Sequence, residues 1–269
     1  MKVLASDVLE RVRRQKPVVH HLTNWVTIYE CANITKAFGA SPVMAHAKEE
    51  AADMAGIASA LVLNIGTLTA DLIEAMLIAG KSANEKGIPV ILDVCGAGAT
   101  KMRDDACFEI LKNVLVTILK GNASEIARIA GEDVQTKGVD SSAVEKDLLT
   151  MALELARKRH CIVVITGQED IVADEERIVL VKNGDPMMAN VVGTGCMATS
   201  VIGAFSAVEE DRLEASVAGL VCYEVAAEMA AKTSKGPGSF KDNLFDAVYN
   251  LDAKTVNRMQ KIVEVRGKV

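Results

Sequence analysis

Gly193-Thr194-Gly195-Cys196 concentrates more potential chemistry than any other stretch of the chain. A hydroxyl residue sits between two glycines, and a thiol follows. The run Met197, Val201, Ile202 and Phe205 then continues at helical spacing. A glycine loop that opens a helix presents backbone amides without intrahelical partners, which suit an anion, and glycine allows close approach to a phosphate. Cys196 stands where a catalytic group would face that anion. A small-residue turn before an ordinary core helix has the same letters, so this segment alone leaves both readings open.

Two further stretches carry polar groups behind glycine turns. In Asp93-Val94-Cys95-Gly96-Ala97-Gly98-Ala99-Thr100 a carboxylate precedes the turn. A hard cation such as Mg²⁺ takes one or two carboxylates plus phosphate oxygens and keeps several waters, so Asp93 could supply one ligand; capping or turn duty is the alternative. In Lys120-Gly121-Asn122-Ala123-Ser124-Glu125, Asn122 and Glu125 have the spacing of a capping box. The same Glu125 could help hold Mg²⁺ through water while Lys120 reaches ATP. His20, His21 and His46 have no carboxylate or cysteine at metal spacing, which disfavours a metal role. Met44 reads as core filler or as the wall of an apolar ligand pocket. His160 follows a basic helix tail and reads as a surface residue.

The elements that must position these groups alternate. Strands are expected at 60–65, 90–94, 115–120 and 161–167, with a helix over 70–86 between the first two. Such repetition predicts an α/β fold, a mostly parallel sheet with helices on both faces. Residues 170–173 and 177–182 predict a small antiparallel excursion, and helices are expected over 213–232 and 240–266. Nothing divides the chain, so residues 1–269 read as one domain. In open α/β sheets ligands bind beyond the carboxyl ends of the strands. Asn64, Asp93, Lys120, Asn122 and Thr166 all fall at such ends.

Composition narrows the partners. Aromatic residues make up 3% of the 269 positions and the formal charge is −6. Stacking platforms and a basic footprint are therefore lacking, which argues against nucleic acid. The charged amphipathic start (Lys2 to Lys16) does not resemble a secretion signal, and no apolar run reaches spanning length. Six cysteines scattered without a C-x-x-C pair point to a reducing, cytoplasmic setting.

Taken together, the chain resembles the hydroxyethylthiazole kinases of thiamine salvage, within the ribokinase-like superfamily. The resemblance is carried by Val19-His20-His21-Leu22-Thr23-Asn24, Ala32-Asn33, Gly39-Ala40-Ser41-Pro42-Val43-Met44-Ala45, the stretches 93–100 and 120–125, Thr166-Gly167, Gly193 to Cys196 and Gly236-Pro237-Gly238-Ser239-Phe240. These run in the family's order over nearly the whole chain. The resemblance implies ATP- and Mg²⁺-dependent phosphorylation of the alcohol of 4-methyl-5-(2-hydroxyethyl)thiazole by a homotrimer with active sites between subunits. It further implies that Met44 and Gly193 contact the thiazole, Lys120 and Thr166 contact ATP, Asp93 and Glu125 serve Mg²⁺, and Gly193, Thr194, Gly195 and Cys196 form the anion hole. Cys196 would act as a weak base or orienting group. Most of the wider superfamily has Asp at that position, whereas Cys is usual in the thiazole kinases. Val94-Cys95 departs from the Pro-Val more common in the family. The alternatives are another ribokinase-like enzyme, such as a hydroxymethylpyrimidine kinase or an ATP-dependent repair dehydratase, or a non-catalytic nucleotide sensor.

Overall fold

The computed structural model describes residues 4–131 and 141–265. The first half builds helix α1 (Ala5–Gln15), strand β1 (Val18–Leu22), α2 (Ile28–Ala37), β2 (Ser41–Val43), α3 (Lys48–Ile57), β3 (Ala60–Asn64), α4 (Ala70–Lys86), β4 (Val90–Asp93), α5 (Lys101–Asn113), β5 (Ile118–Asn122) and α6 (Ala123–Ala130). The second half adds α7 (Ser141–Arg159), β6 (Ile162–Thr166), β7 (Asp170–Ala173), β8 (Ile178–Val181), α8 (Thr194–Ser206), α9 (Arg212–Thr233), α10 (Pro237–Tyr249), α11 (Ala253–Met259) and β9 (Ile262–Glu264).

The described strands form one sheet in the order β2-β1-β3-β4-β5-β6-β7-β8-β9. Pairings from β2 through β6 are parallel, and those from β6 through β9 are antiparallel. The expected antiparallel excursion is therefore present, and β9 extends it. Period-two alternation splits the core. Leu61, Leu63, Leu92 and Leu119 pack with residues of α3 to α7, whereas Val62, Ile91 and Ile118 pack with residues of α1, α2, α8 and α9.

That alternation has a direct consequence at the carboxyl edge. Asn64, Asp93 and Lys120 each fall two residues after an α8-facing position (Val62, Ile91 and Ile118), so all three turn toward α8. They are also neighbours in register, with Asn64 opposite Asp93 and Asp93 opposite Lys120. Helix α8 lies close against the sheet. A Cβ on its Gly203 would come within 2.6 Å of Val62 Cγ2.

Three expectations differ from the structure. The strand read from Leu115 begins only at Ile118, because Leu115 is exposed and its backbone N–H and C=O are both taken by the Asn84 side chain. The helix expected over 240–266 breaks into α10, α11 and β9. Asp252 caps α11 by accepting from Thr255 N–H, and Ile262–Glu264 pair with β8; Arg266 lies outside the described residues. Strands β1 and β2 were not foreseen as strands, since the two histidines interrupt the apolar run of β1 and β2 is three residues long.

Candidate active site

The glycine loop does open a helix. Gly193 is the N-cap of α8 with φ 94°, a left-handed conformation that favours glycine. Space demands glycine there as well, because a Cβ would lie 2.5 Å from Thr27 Cγ2. The Thr194 hydroxyl donates back to Met188 C=O at 3.0 Å, and the Tyr223 hydroxyl donates to Thr194 C=O at 3.1 Å. These bonds fix the loop from behind and leave the first-turn amides of α8 facing outward from the helix end.

Cys196 lies in that first turn, over the carboxyl ends of β3 and β4. Its Sγ accepts from Asn24 Nδ2 at 3.3 Å and from Asn64 Nδ2 at 3.4 Å. Asn24 Nδ2 also donates to Asn64 Oδ1, while Asn24 Oδ1 accepts from the Val26 and Thr27 amides and the Thr27 hydroxyl. The thiol thus sits in a fixed cradle of amide donors. The Cys95 side chain, the Thr27 hydroxyl and the Lys120 ammonium draw the Cys196 pKa down to about 6 against burial and the Asp93 charge. Cys95 moves the other way, raised by the Cys196 side chain, by burial and by the Asp93 charge.

Asp93 is the hub beneath. It is 1% exposed, and its Oδ2 accepts from Thr199 Oγ1 at 2.6 Å, Asn64 Nδ2 at 2.9 Å and Lys120 Nζ at 3.2 Å. Its Oδ1 is buried without a hydrogen-bond partner. Lys120 is buried too, and its Nζ also donates to Gly195 C=O at 3.1 Å. Burial pulls the lysine pKa down, but Asp93, Cys196 and Glu125 outweigh it, and the net shift is upward, so the ammonium persists. Lys120 therefore sits under the anion loop.

The loop after β4 is held by three side chains. Glu125 accepts from Gly96 N–H at 2.7 Å and from Asn122 N–H at 2.8 Å, completing the expected capping box with Asn122. Asp104 accepts from Gly98 N–H at 2.7 Å. Arg103 donates to the carbonyls of Ile65, Gly66 and Cys95. Thr166 ends β6 beside Asn122, and its hydroxyl donates to Gly121 C=O. The adjoining Gly167 turn rests on Asp170, whose carboxylate accepts the Gly167 amide at 2.9 Å. Burial raises Asp170, and burial with the Asp170 charge raises Glu224 well above its ordinary value.

Met44 follows edge strand β2 and is half-buried, and its carbonyl is bonded to His46 Nδ1. The His46 ring packs on Trp25 with centroids 4.6 Å apart. His20 and His21 are buried; burial lowers both, His21 to about 3. His160 is exposed and pairs with Glu175.

Of the residues singled out by sequence, the structure joins Asp93, Lys120, Gly195 and Cys196 in one bonded network. Glu125 and Thr166 stand on the neighbouring loops, and Met44 lies at the far edge. Sequence reasoning missed Thr199, Arg103 and Asp104. Thr199 was detectable, since it is polar within an apolar helix and three residues after Cys196, on the same face.

The hydroxyethylthiazole kinase family profile matches residues 9–254. The chain belongs to the hydroxyethylthiazole kinase family. A hydroxyethylthiazole kinase of Methanosarcina mazei is 54% identical over 260 residues, covering 97% of this chain and all of that protein. The structure of the hydroxyethylthiazole kinase protein from Pyrococcus horikoshii OT3 superposes with a TM-score of 0.90 at 39% identity, covering 97% of this chain and 99% of that one. A ribokinase-like superfamily protein from Enterococcus faecalis V583 shares the fold at 14% identity, with a TM-score of 0.61 over 91% and 94% of the two chains. The hydroxyethylthiazole kinase family is thus presented here on the ribokinase-like fold expected from the sequence. Among the described residues, no helix is long and apolar enough to cross a membrane.

Proposed function

We propose that this chain transfers a phosphoryl group from ATP to the hydroxyl of 4-methyl-5-(2-hydroxyethyl)thiazole, with Mg²⁺, as a single kinase domain working in the cytoplasm. The observation that carries the mechanism is the position of Cys196. Its Sγ is held by two asparagine amides in the first turn of α8, beside the loop amides of Gly193, Thr194 and Gly195.

Phosphoryl transfer demands alignment and charge neutralisation more than covalent chemistry. The first-turn amides of α8 receive the phosphoryl oxygens, and their dipoles favour the charge that builds there. Lys120 fixes the loop from below through Gly195 C=O and contributes positive charge at the phosphates. Cys196 Sγ accepts the hydroxyl proton, with Asn24 and Asn64 holding the sulfur in place. Met44 and Gly193 wall the thiazole, and Thr166 lies on the ATP side.

The donor set fits Mg²⁺. Asp93 Oδ1 has no hydrogen-bond partner, so that carboxylate oxygen retains its lone pairs. Glu125 has both oxygens engaged by amides, which suits a contact through water. Asp93 would hold Mg²⁺ directly and Glu125 through water, and the bound ion would supply positive charge against the phosphates.

The exposed apolar cluster at this edge supports a homotrimer with shared sites. Trp25, Val26, Tyr29 and Val192 are 55%, 63%, 72% and 74% exposed. Trp25 stacks on His46, two residues from Met44, and Val192 adjoins Gly193. An apolar surface beside an active site suits cover by another copy of the chain.

The test is turnover of wild type, Cys196→Asp and Cys196→Ala across pH, with mass spectrometry of quenched enzyme. Cys196→Asp retains substantial activity, whereas Cys196→Ala loses part of the roughly 10²–10⁴-fold that general-base help contributes. The thiolate is the accepting form, so wild-type turnover falls as pH drops through about 6. In Cys196→Asp the fall moves toward the ordinary aspartate pKa, about 3.9. A trapped phosphocysteine with an inactive Asp variant overturns the base reading.

A further inference from the structure

His46 has no part in the phosphoryl transfer itself, yet it bonds on both sides of its ring. Nδ1 lies 3.0 Å from Met44 C=O, and Nε2 lies 3.1 Å from the Thr23 backbone nitrogen. The neutral tautomer with its hydrogen on Nδ1 serves both, donating to Met44 and accepting from Thr23. The opposite tautomer would donate to Thr23 C=O, also 3.1 Å from Nε2, and would leave a bare Nδ1 facing the Met44 oxygen. His46 thus ties the turn after β2 to the turn after β1. These strands are neighbours in the sheet, so their turns leave it side by side.

The tie leads on to the thiol. Thr23 precedes Asn24, whose Nδ2 donates to Cys196 Sγ at 3.3 Å. Asn24 is buried, and its Oδ1 is held by the Val26 and Thr27 amides, so this side chain moves with its turn. Hydrogen bonds and one peptide therefore join Met44, His46, Thr23, Asn24 and Cys196 without a break. Seating β2 does not depend on His46. His20 of β1 holds the same turn from inside, its Nε2–H donating to Ala45 C=O at 2.8 Å, and β2 pairs with β1 over Ser41–Val43. What His46 adds is the register of one turn against the other.

We propose that His46 is a positioning residue that fixes the span from the Met44 wall to the Cys196 thiol, and so selects the alcohol by the length of its arm. This rests on the roles given above to Met44 and Cys196. With the ring against the wall, a two-carbon arm brings the hydroxyl to the sulfur. A one-carbon arm stops short, and a three-carbon arm overshoots. One methylene more or less is worth roughly 10–200-fold in discrimination by a pocket of fixed shape. Without the tie the wall can shift, so the best substrate loses its alignment and its homologues gain fits they lacked.

The experiment measures kcat/KM with saturating ATP for the 2-hydroxyethyl compound and for its hydroxymethyl and 3-hydroxypropyl homologues. Wild type is compared with His46→Phe, His46→Asn and His46→Gln. Phenylalanine keeps a ring beside Trp25 but makes neither bond. Asparagine places its amide where Nδ1 stands and is too short for Thr23. Glutamine reaches Thr23 with an amide oxygen that can accept. Wild type prefers the hydroxyethyl compound to each homologue by about 10-fold or more. In His46→Phe and His46→Asn, kcat/KM for the hydroxyethyl compound falls by up to about 10²-fold. The homologues fall less, so the preference shrinks, while KM for ATP is unchanged. His46→Gln recovers much of the preference. His46→Asn decides alone if the bulkier phenylalanine unfolds the chain. A parallel fall for all three alcohols, with wild-type ratios kept in the variants that fold, overturns the proposal and leaves the kinase reading standing. Wild type inactive on all three alcohols overturns both.

Discussion

The two flanks of the candidate site are built to different degrees of completeness. On the phosphate flank, the loop after β4 is bonded by Glu125, Asp104 and Arg103, and the network beneath it joins Asp93, Lys120, Asn64 and Thr199. On the alcohol flank, Met44 is half-buried on an edge strand, and Trp25, Val26 and Tyr29 stand in solvent. One chain preorganises the charged chemistry, which tolerates little reorganisation. It leaves the apolar wall unfinished, which another copy of the same surface can complete.

The sharpest way to break this contrast is at the hub. Asp93→Ala leaves the Lys120 ammonium buried without its carboxylate. Removing one partner of a buried pair costs about 3–5 kcal/mol, so the urea midpoint of the chain falls and turnover is lost with it. A variant of wild-type stability would show that the phosphate flank is not held by this pair. A smaller effect is expected where the two flanks touch. Gly193→Ala meets Thr27 and forces a left-handed alanine, at a cost of about 1–3 kcal/mol. Thr27→Gly in the same chain removes the clash but not the backbone strain, so it recovers part of the lost turnover. No recovery would mean the close approach to Thr27 does not position the loop. The least effect on the chain itself is expected on the alcohol flank. Tyr29→Glu, on the surface, changes chain stability by no more than about 0.5 kcal/mol. Light scattering is expected to show the proposed trimer reduced to single chains in this variant, and KM for the alcohol rises more than kcat falls. A fully active monomer refutes the shared site.

The same contrast governs what could be read from the sequence. The strand ends were legible because short β-branched runs stop at Asn64, Asp93 and Thr166, and the α4 limits match the expected 70–86. The glycine loop and the Asn122–Glu125 capping box were legible because both are local. Arg103 was not, because its work is done on carbonyls 8 and 38 residues away, a tertiary fact. The end of the chain was misread because Ile262–Glu264 owes its strand conformation to β8 and not to its own short sequence.

Gly203 makes α8 a lever. The helix rests on the sheet there with no room for a methyl group, while Cys196 stands two turns toward its start, about 10 Å along the axis. A tilt set at this fulcrum in the core is read out as a displacement of the thiol and the amides. The aim of the catalytic end is therefore governed by aliphatic packing that never meets substrate. Gly203 is a place where a single carbon atom would detune the enzyme from within, leaving every group that touches ATP or alcohol chemically intact.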